Sequence, residues 1–418
     1  MLDPQVDKLV GHLFRTESGK MVSVLTRILG FSNYDTAEDI VQETLLKAVN
    51  TWKFKGIPEN PQAWLYTVAK RKAIDLLRQQ KIRESVHHEI AQAIQSEWTL
   101  VPTVSQLFLD HEIEDSQLRM IFACCHPAIP YEAQLAFTLK TLCGLSVSEI
   151  AKAFLTNDET IAKRLYRARE KIREENIVLE VPVGKMLDKR LEAVWHTLYL
   201  LFSEGYNSSQ ADHFIRQELC EEAMRLCLLL TRDEKTNLPQ SSALLALMCF
   251  QASRENARTD HDGEIILLKD QDRSMWNREL MTKGFEYLDL ASADGSVGPY
   301  HLEAAISATH ASAENFDATN WSQILTLYES LEKFKPGAIT ALNKAIATGY
   351  AKGRTQGLDL LLKIDSLEEN HRYHAAIGDF YYDLKERQKA ISAYDKAIQY
   401  VLSEKEKNLL IKKRQQLS

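Results

Sequence analysis

The chain has 418 residues, 45% of them hydrophobic and 26% charged, with a net charge of −7. That length exceeds one compact core and points to two to four domains, while sparse glycine and proline (16 and 10) point to helices rather than a large sheet. The acidic balance argues against a free-standing nucleic-acid binder, but leaves room for a local basic patch or for a protein carried to DNA by a larger partner.

The amino terminus, MLDPQVDKLV, has neither a basic n-region nor an apolar h-region. No apolar run reaches the ~18 residues that span a bilayer, so a cytoplasmic protein without a membrane partner is expected. Residues 1–85 then read as several helices. In DTAEDIVQETLLKAVNTW, Asp35 is the expected N-cap and Glu38 completes a capping-box pattern. Ile40, Val41, Leu45, Ala48 and Trp52 share one face; Glu38, Asp39, Gln42, Glu43 and Lys47 lie largely on the other. Gly56 and Pro58 break the chain in TWKFKGIPEN, and Asn60 caps a new helix with Pro61 at its first position. This helix, expected to run to Arg83, places Leu65, Val68, Ala69 and Leu76 inward and presents Lys70, Arg71, Lys72, Arg78, Lys81 and Arg83.

Residues 86–115 lose the helical period and read as a linker with a short helix. The period returns over 116–178. Cys124, Cys125 and His126 stand together, but adjacent cysteines on a helix diverge and no second ligand pair follows, so no metal and no cofactor are expected. With Cys143, Cys220, Cys227 and Cys249 they read as buried reduced thiols. Pro127 and Pro130 start a fresh helix.

The stretch LSVSEIAKAFLTNDETIAKRLYRAREKIREE carries two capping patterns, Ser146 with Glu149 and Thr156 with Glu159. Two helix starts so close imply a short helix, a tight turn and a second helix. Ala151 is small where the two would cross, and Ile150, Phe154, Ile161 and Leu165 would form their shared core, which is a helix-turn-helix layout. The first turn residue is Leu155 where glycine is common, and Asn157 is expected to supply the unusual backbone conformation. The second helix offers Lys163, Arg164, Arg167, Arg169, Lys171 and Arg173, with Thr160 and Lys163 near its amino end, placed either to meet DNA or to form a solvated basic face.

The remainder divides into a helical extension, 179–285, and a helical domain, 286–418. DHDGEIILLKDQDR is the one stretch in which a strand is expected; it lacks the register of a calcium loop. Ile377, Gly378, Tyr381, Ala390, Tyr394 and Ala397 match the small/large pattern of a tetratricopeptide unit, with a degraded copy near Ala345. The histidines are scattered, and there is no Gly-rich phosphate loop, G-x-S-x-G or H-E-x-x-H, so no enzyme is expected.

AEDIVQETLLKAV, PQAWLYTVAKRKAIDLLR and GLSVSEIAKAF…ETIAKRLYRAREKIR, in this order, resemble the extracytoplasmic-function sigma factors of bacterial RNA polymerase, over residues from about 5 to 175. CCHPAIPYEAQLAF, YLLFSEGYNSS and DQDRSMWNRELM resemble a subgroup with a long helical, tetratricopeptide-like C-terminal extension. The resemblance implies an all-α protein: second and fourth sigma domains, the latter helix-turn-helix, then a large helical domain. It implies core RNA polymerase (β′ coiled coil and β flap) and promoter DNA as partners, with Asp39, Gln42 and Glu43 as polymerase contacts. Phe54, Trp64, Lys70, Arg71, Arg78 and Lys81 would meet the minus-ten element; Thr160, Lys163, Arg164, Arg167 and Arg169 would meet the minus-thirty-five element. The extension would regulate activity through a protein or small-molecule partner. The competing reading is a helix-turn-helix regulator with a helical-repeat sensor domain, which binds an operator without polymerase.

Overall fold

The computed structural model describes residues 4–79, 90, 94, 97–154, 156–206, 213–401 and 403–417. Among them lie nineteen α-helices and no strand; the pairing closest to a strand is one isolated antiparallel bridge, Thr259 to Ile265. The fold is all-α. The chain divides into two compact units, residues 1–204 and 205–418.

The first unit is built around α1 (Pro4–Leu29), whose Met21, Val24, Leu25, Ile28 and Leu29 are fully buried. After a 3₁₀ turn come α2 (Tyr34–Lys55) and α3 (Pro61–Arg78). Gly56, at φ 77, stops α2, a conformation that a side chain would strain. Asn60 caps α3 as expected, its side chain accepting from the Ala63 N–H at 2.9 Å, with Pro61 in the first turn. Two expectations change. Asp35 sits in the first turn of α2 rather than at its cap, because its carboxylate is drawn to arginines far along the chain. Leu77, not Leu76, is the fully buried leucine at the end of α3. Lys81 and Arg83 lie outside the described residues.

Residues 97–115, read as a linker with a short helix, hold α4 (Glu97–Gln106) and the first turns of α5 (Asp110–Cys124). Then follow α6 (Tyr131–Thr141), α7 (Val147–Ala153), α8 (Asp158–Glu174) and α9 (Lys185–Tyr206). Backbones approach closely at two glycines. A Cβ on Gly19 would fall 2.0 Å from the Leu142 carbonyl oxygen, and one on Gly144 would fall 2.7 Å from that of Arg15.

The second unit contains α10 (His213–Arg232), α11 (Pro239–Ala252), α12 (Arg278–Ala291), α13 (Pro299–Ser312), α14 (Trp321–Phe334), α15 (Ala338–Ala351), α16 (Arg354–Leu361), α17 (His371–Asp383), α18 (Arg387–Tyr400) and α19 (Glu404–Gln415). Every residue of α11 from Ser241 to Phe250 is buried, which makes it the spine on which α12 and α13 pack. Later helices pair with their chain neighbours. In α17 and α18 the ring of Tyr394 lies where a side chain on Gly378 would be, at 2.7 Å, and Ala390 and Ala397 are fully buried. The expected strand near residue 264 is instead a turn at Gly263 (φ 75), followed by 3₁₀ turns. Asp260 is the reason: its carboxylate binds the backbone N–H groups of Asp262 and Glu264, which closes the turn locally.

His310 at the end of α13 supplies a pH dependence. Burial, then the charges of Arg254 and Arg273, lower its pKa to about 4. Between pH 6.5 and 4 the unfolded chain therefore binds the extra proton, so stability falls as pH falls through that window, by about 3 kcal/mol at pH 4. A His310→Gln variant is expected to lose correspondingly less stability between pH 7 and pH 4.5 in urea melts; parallel losses would contradict this.

Candidate polymerase and nucleic-acid interface

α2 carries two acidic patches with different surroundings. Asp39, Gln42 and Glu43 are exposed, as their spacing predicts. Glu43 pairs with Lys72 of α3, while Asp39 has no ion-pair partner among the described residues. The same side exposes Leu46 (61%) and Val49 (50%). These two were missed by sequence reasoning; the signal was an apolar residue one helical turn beyond Gln42 and Glu43.

In its last turn α2 presents Phe54, 83% exposed, with the Lys53 ammonium 5.9 Å from its ring centre. Trp64 is half-buried, its ring 5.5 Å from Trp52, which in turn contacts Phe14 at 5.4 Å. Phe54 is thus available to a base, whereas Trp64 is partly committed to packing. Arg71 and Arg78 are exposed on α3. Lys70 is half-buried beside Phe108, 5.3 Å from that ring, and burial lowers its pKa.

α7 and α8 form the expected helix-turn-helix. The Ser146 capping box is complete: the Glu149 N–H donates to Ser146 Oγ (3.2 Å) and the Ser146 N–H to Glu149 Oε2 (2.7 Å). Ala151, Ile150, Ile161 and Leu165 are buried between the helices, with Phe154 half-buried. The second cap differs from expectation. Asn157, not Thr156, caps α8 by accepting from the Thr160 N–H at 2.8 Å, and it does so in an extended conformation (φ −104) rather than a left-handed one. An amide oxygen one residue closer to the helix leaves Thr156 no cap to make. Leu155 lies outside the described residues.

The basic residues of α8 divide into two groups. Lys163 and Arg167 are exposed; Lys163 pairs only within its helix, with Glu159 at 2.7 Å, and Arg167 has no ion-pair partner among the described residues. Thr160 is half-buried, and Arg164 reaches Glu132 of α6 at 2.7 Å. Arg169 and Arg173 turn back to α2. Arg169 pairs with Glu38 (2.8 Å) and Asp35 (3.2 Å), and Arg173 with Asp35 (2.6 Å). Lys140 of α6 joins Glu38 at 2.9 Å. Beneath them the Tyr34 ring packs 5.0 Å from Phe137 and 5.5 Å from the Arg169 guanidinium. Further along, Arg15 pairs with Glu149 (2.8 Å), and Arg27 with Glu112 (2.8 Å) and Asp115 (2.9 Å). The α1–α3 and α5–α8 segments are therefore locked face to face by charges at several places, and Arg169 is unavailable to phosphate in this arrangement.

All six cysteines are buried thiols. Burial pushes Cys125 up to about 11 and Cys220 up to about 12, which leaves them protonated and unreactive at neutral pH. No helix among the described residues is long and apolar enough to cross a membrane.

Residues 13–82 match the family model of Sigma-70 region 2, and residues 119–172 that of Sigma-70, region 4. Residues 190–292 match a family of unknown function (DUF6596). The chain is 34% identical over 371 residues to an uncharacterized protein of Rhizobium meliloti (strain 1021), covering 88% of this chain and 86% of that one. It is 30% identical over 141 residues to the RNA polymerase sigma factor SigV of Bacillus subtilis (strain 168), which covers 34% of this chain and 76% of SigV. It is 31% identical over 159 residues to the ECF RNA polymerase sigma-E factor of Haemophilus influenzae, which covers 37% of this chain and 79% of that factor.

Proposed function

The chain belongs to the extracytoplasmic-function (ECF) sigma factors of RNA polymerase, and from that premise we propose how its surfaces divide the work of transcription initiation. The Asp39, Gln42, Glu43 face of α2, with Leu46, docks on the β′ coiled coil, and α6–α8 contact the β flap. Phe54 and Trp64 receive a base unstacked from the minus-ten element while Lys70, Arg71, Arg78 and Lys81 hold phosphates; stacking on an aromatic returns about 1–3 kcal/mol per base. Thr160, Lys163, Arg164 and Arg167 enter the major groove of the minus-thirty-five element, and Arg169 holds its backbone. The polymerase performs the chemistry, in the cytoplasm, and the chain itself is not an enzyme. The helical second unit regulates the whole; the close Gly378–Tyr394 packing supports a tetratricopeptide-like pairing of α17 and α18.

The observation that carries this proposal is the division of α2. Its first turns hold α8 through Asp35 and Glu38, while its middle turns stand open. A sigma factor in this arrangement can meet polymerase before it can read a promoter, and reading requires the ion pairs to Arg169 and Arg173 to break. The Asp35–Arg173 pair, about half-exposed, contributes at most about 1 kcal/mol, while the Glu38–Arg169 pair is more sheltered and networked, so docking on polymerase supplies the energy that opens it. An Asp35→Asn, Glu38→Gln variant of the full chain is therefore expected to bind duplex promoter fragments about tenfold more tightly in gel-shift titrations without polymerase, about 1.4 kcal/mol. Unchanged or weaker binding would contradict the closed reading.

A further inference from the structure

Three guanidinium groups gather in the second unit. A cleft of about 760 Å³ opens beside Tyr206, and its lining includes Arg254, Arg258, Ile266, Leu268 and Met275. Arg254 is half-buried. Its Nε donates to Gln271 Oε1 at 3.2 Å, and its guanidinium lies 5.2 Å from the Trp276 ring centre. Arg258 stacks 3.8 Å over Tyr206 and donates to that residue's carbonyl oxygen. A third guanidinium, Arg273, shares the Trp276 ring at 4.1 Å and donates to the His310 carbonyl oxygen; its Nε and Nη2 are buried without a partner.

None of the three guanidinium groups has a carboxylate at ion-pair distance among the described residues. The carboxylates that line the cleft are engaged or weakened. Glu406 holds His371 (3.2 Å) and Arg372 (3.4 Å), and Asp260 closes its own turn. Glu255 faces Arg258 across more than an ion-pair distance, and burial, with the nearby Glu221, pushes its pKa up. Half-buried like charges without a counterion at ion-pair distance are unfavourable, and a cleft lined by them is suited to an anion. The segment from Asp270 to Trp276 is spent on holding this arrangement. Gln271 fixes Arg254 and donates to the Ile266 carbonyl oxygen at 3.1 Å, Asp272 caps the turn, and Trp276 is the buried platform.

We propose that this cleft binds a small amphipathic anion, its carboxylate or phosphate head held by the forks of Arg254 and Arg258 and its apolar body lying against Ile266, Leu268 and Met275. A guanidinium fork fits both heads in two-point contact, and the cleft has the volume usual for a small-molecule site.

The test is thermal unfolding of the full chain with hexanoate, hexyl phosphate, inorganic phosphate and hexylammonium. A six-carbon anion at saturating concentration is expected to raise Tm by about 3 °C or more. Inorganic phosphate should shift it less, hexylammonium not at all, and the better of the two six-carbon anions identifies the head group. An Arg254→Met, Arg258→Gln variant should lose the shift. Without ligand, Arg254→Met alone should melt no lower than the unaltered chain, since it removes a charge that nothing neutralises. Absence of a shift with either six-carbon anion, an equal shift with hexylammonium or in the double variant, or a fall of several degrees in ligand-free Arg254→Met would each overturn the proposal.

Discussion

Lysine in place of both Asp39 and Glu43 is expected to weaken binding to core RNA polymerase at least a hundredfold, about 2.7 kcal/mol or more. The two carboxylates stand exposed on one side of α2, beside exposed Leu46. On the proposed docking, reversing both would convert two attractions into two like-charge contacts, which cost several kcal/mol at an interface. Folding should be little affected. Asp39 has no ion-pair partner among the described residues, and the Glu43 carboxylate that meets Lys72 is 62% exposed, so a lysine there can swing away from Lys72 into water and the exchange costs about 1 kcal/mol. Titration of labelled variant against core polymerase, with its melting curve as the folding control, measures the effect. An unchanged affinity would remove this face from the interface.

Alanine in place of Arg164 and Arg167 is expected to separate the two activities. Promoter occupancy by the holoenzyme should fall about a hundredfold, since an arginine paired with a base edge is worth about 1–3 kcal/mol and two are removed. Core polymerase affinity should stay within about threefold. Arg167 is exposed, and Arg164 is held only by Glu132, whose side chain is 71% exposed and readily released. If both affinities fell together, α8 would be part of the polymerase contact or of the fold, and its promoter role would be lost.

How much of this was legible in the sequence depends on how local the cause was. The α7–α8 pair was readable because Ser146, Ala151, Ile150, Ile161 and Leu165 declare caps, a crossing point and a core by spacing alone. Asn60 with Pro61 was readable for the same reason. Asp35 was misread as a cap because its real partners, Arg169 and Arg173, are more than 130 residues away, and no local pattern encodes them. Arg169 was read as a free DNA contact for the same reason. Thr156 and Asn157 both suit a cap, and only the backbone path decides between them. A strand was expected near Gly263, whereas the Asp260 turn decides the geometry. Clustering of Arg254, Arg258 and Arg273 was invisible, since they come from two stretches of chain joined by Trp276, Gln271 and the Asn277 N–H to the Ser253 carbonyl oxygen.

The most direct measurement is run-off transcription from genomic promoter fragments by sigma-free core polymerase with the purified full chain added. The account predicts defined transcripts that depend on the added chain and vanish with the Asp39→Lys, Glu43→Lys variant. No transcript, together with no binding to core polymerase and retained binding to duplex DNA, would contradict it and leave an operator-binding regulator.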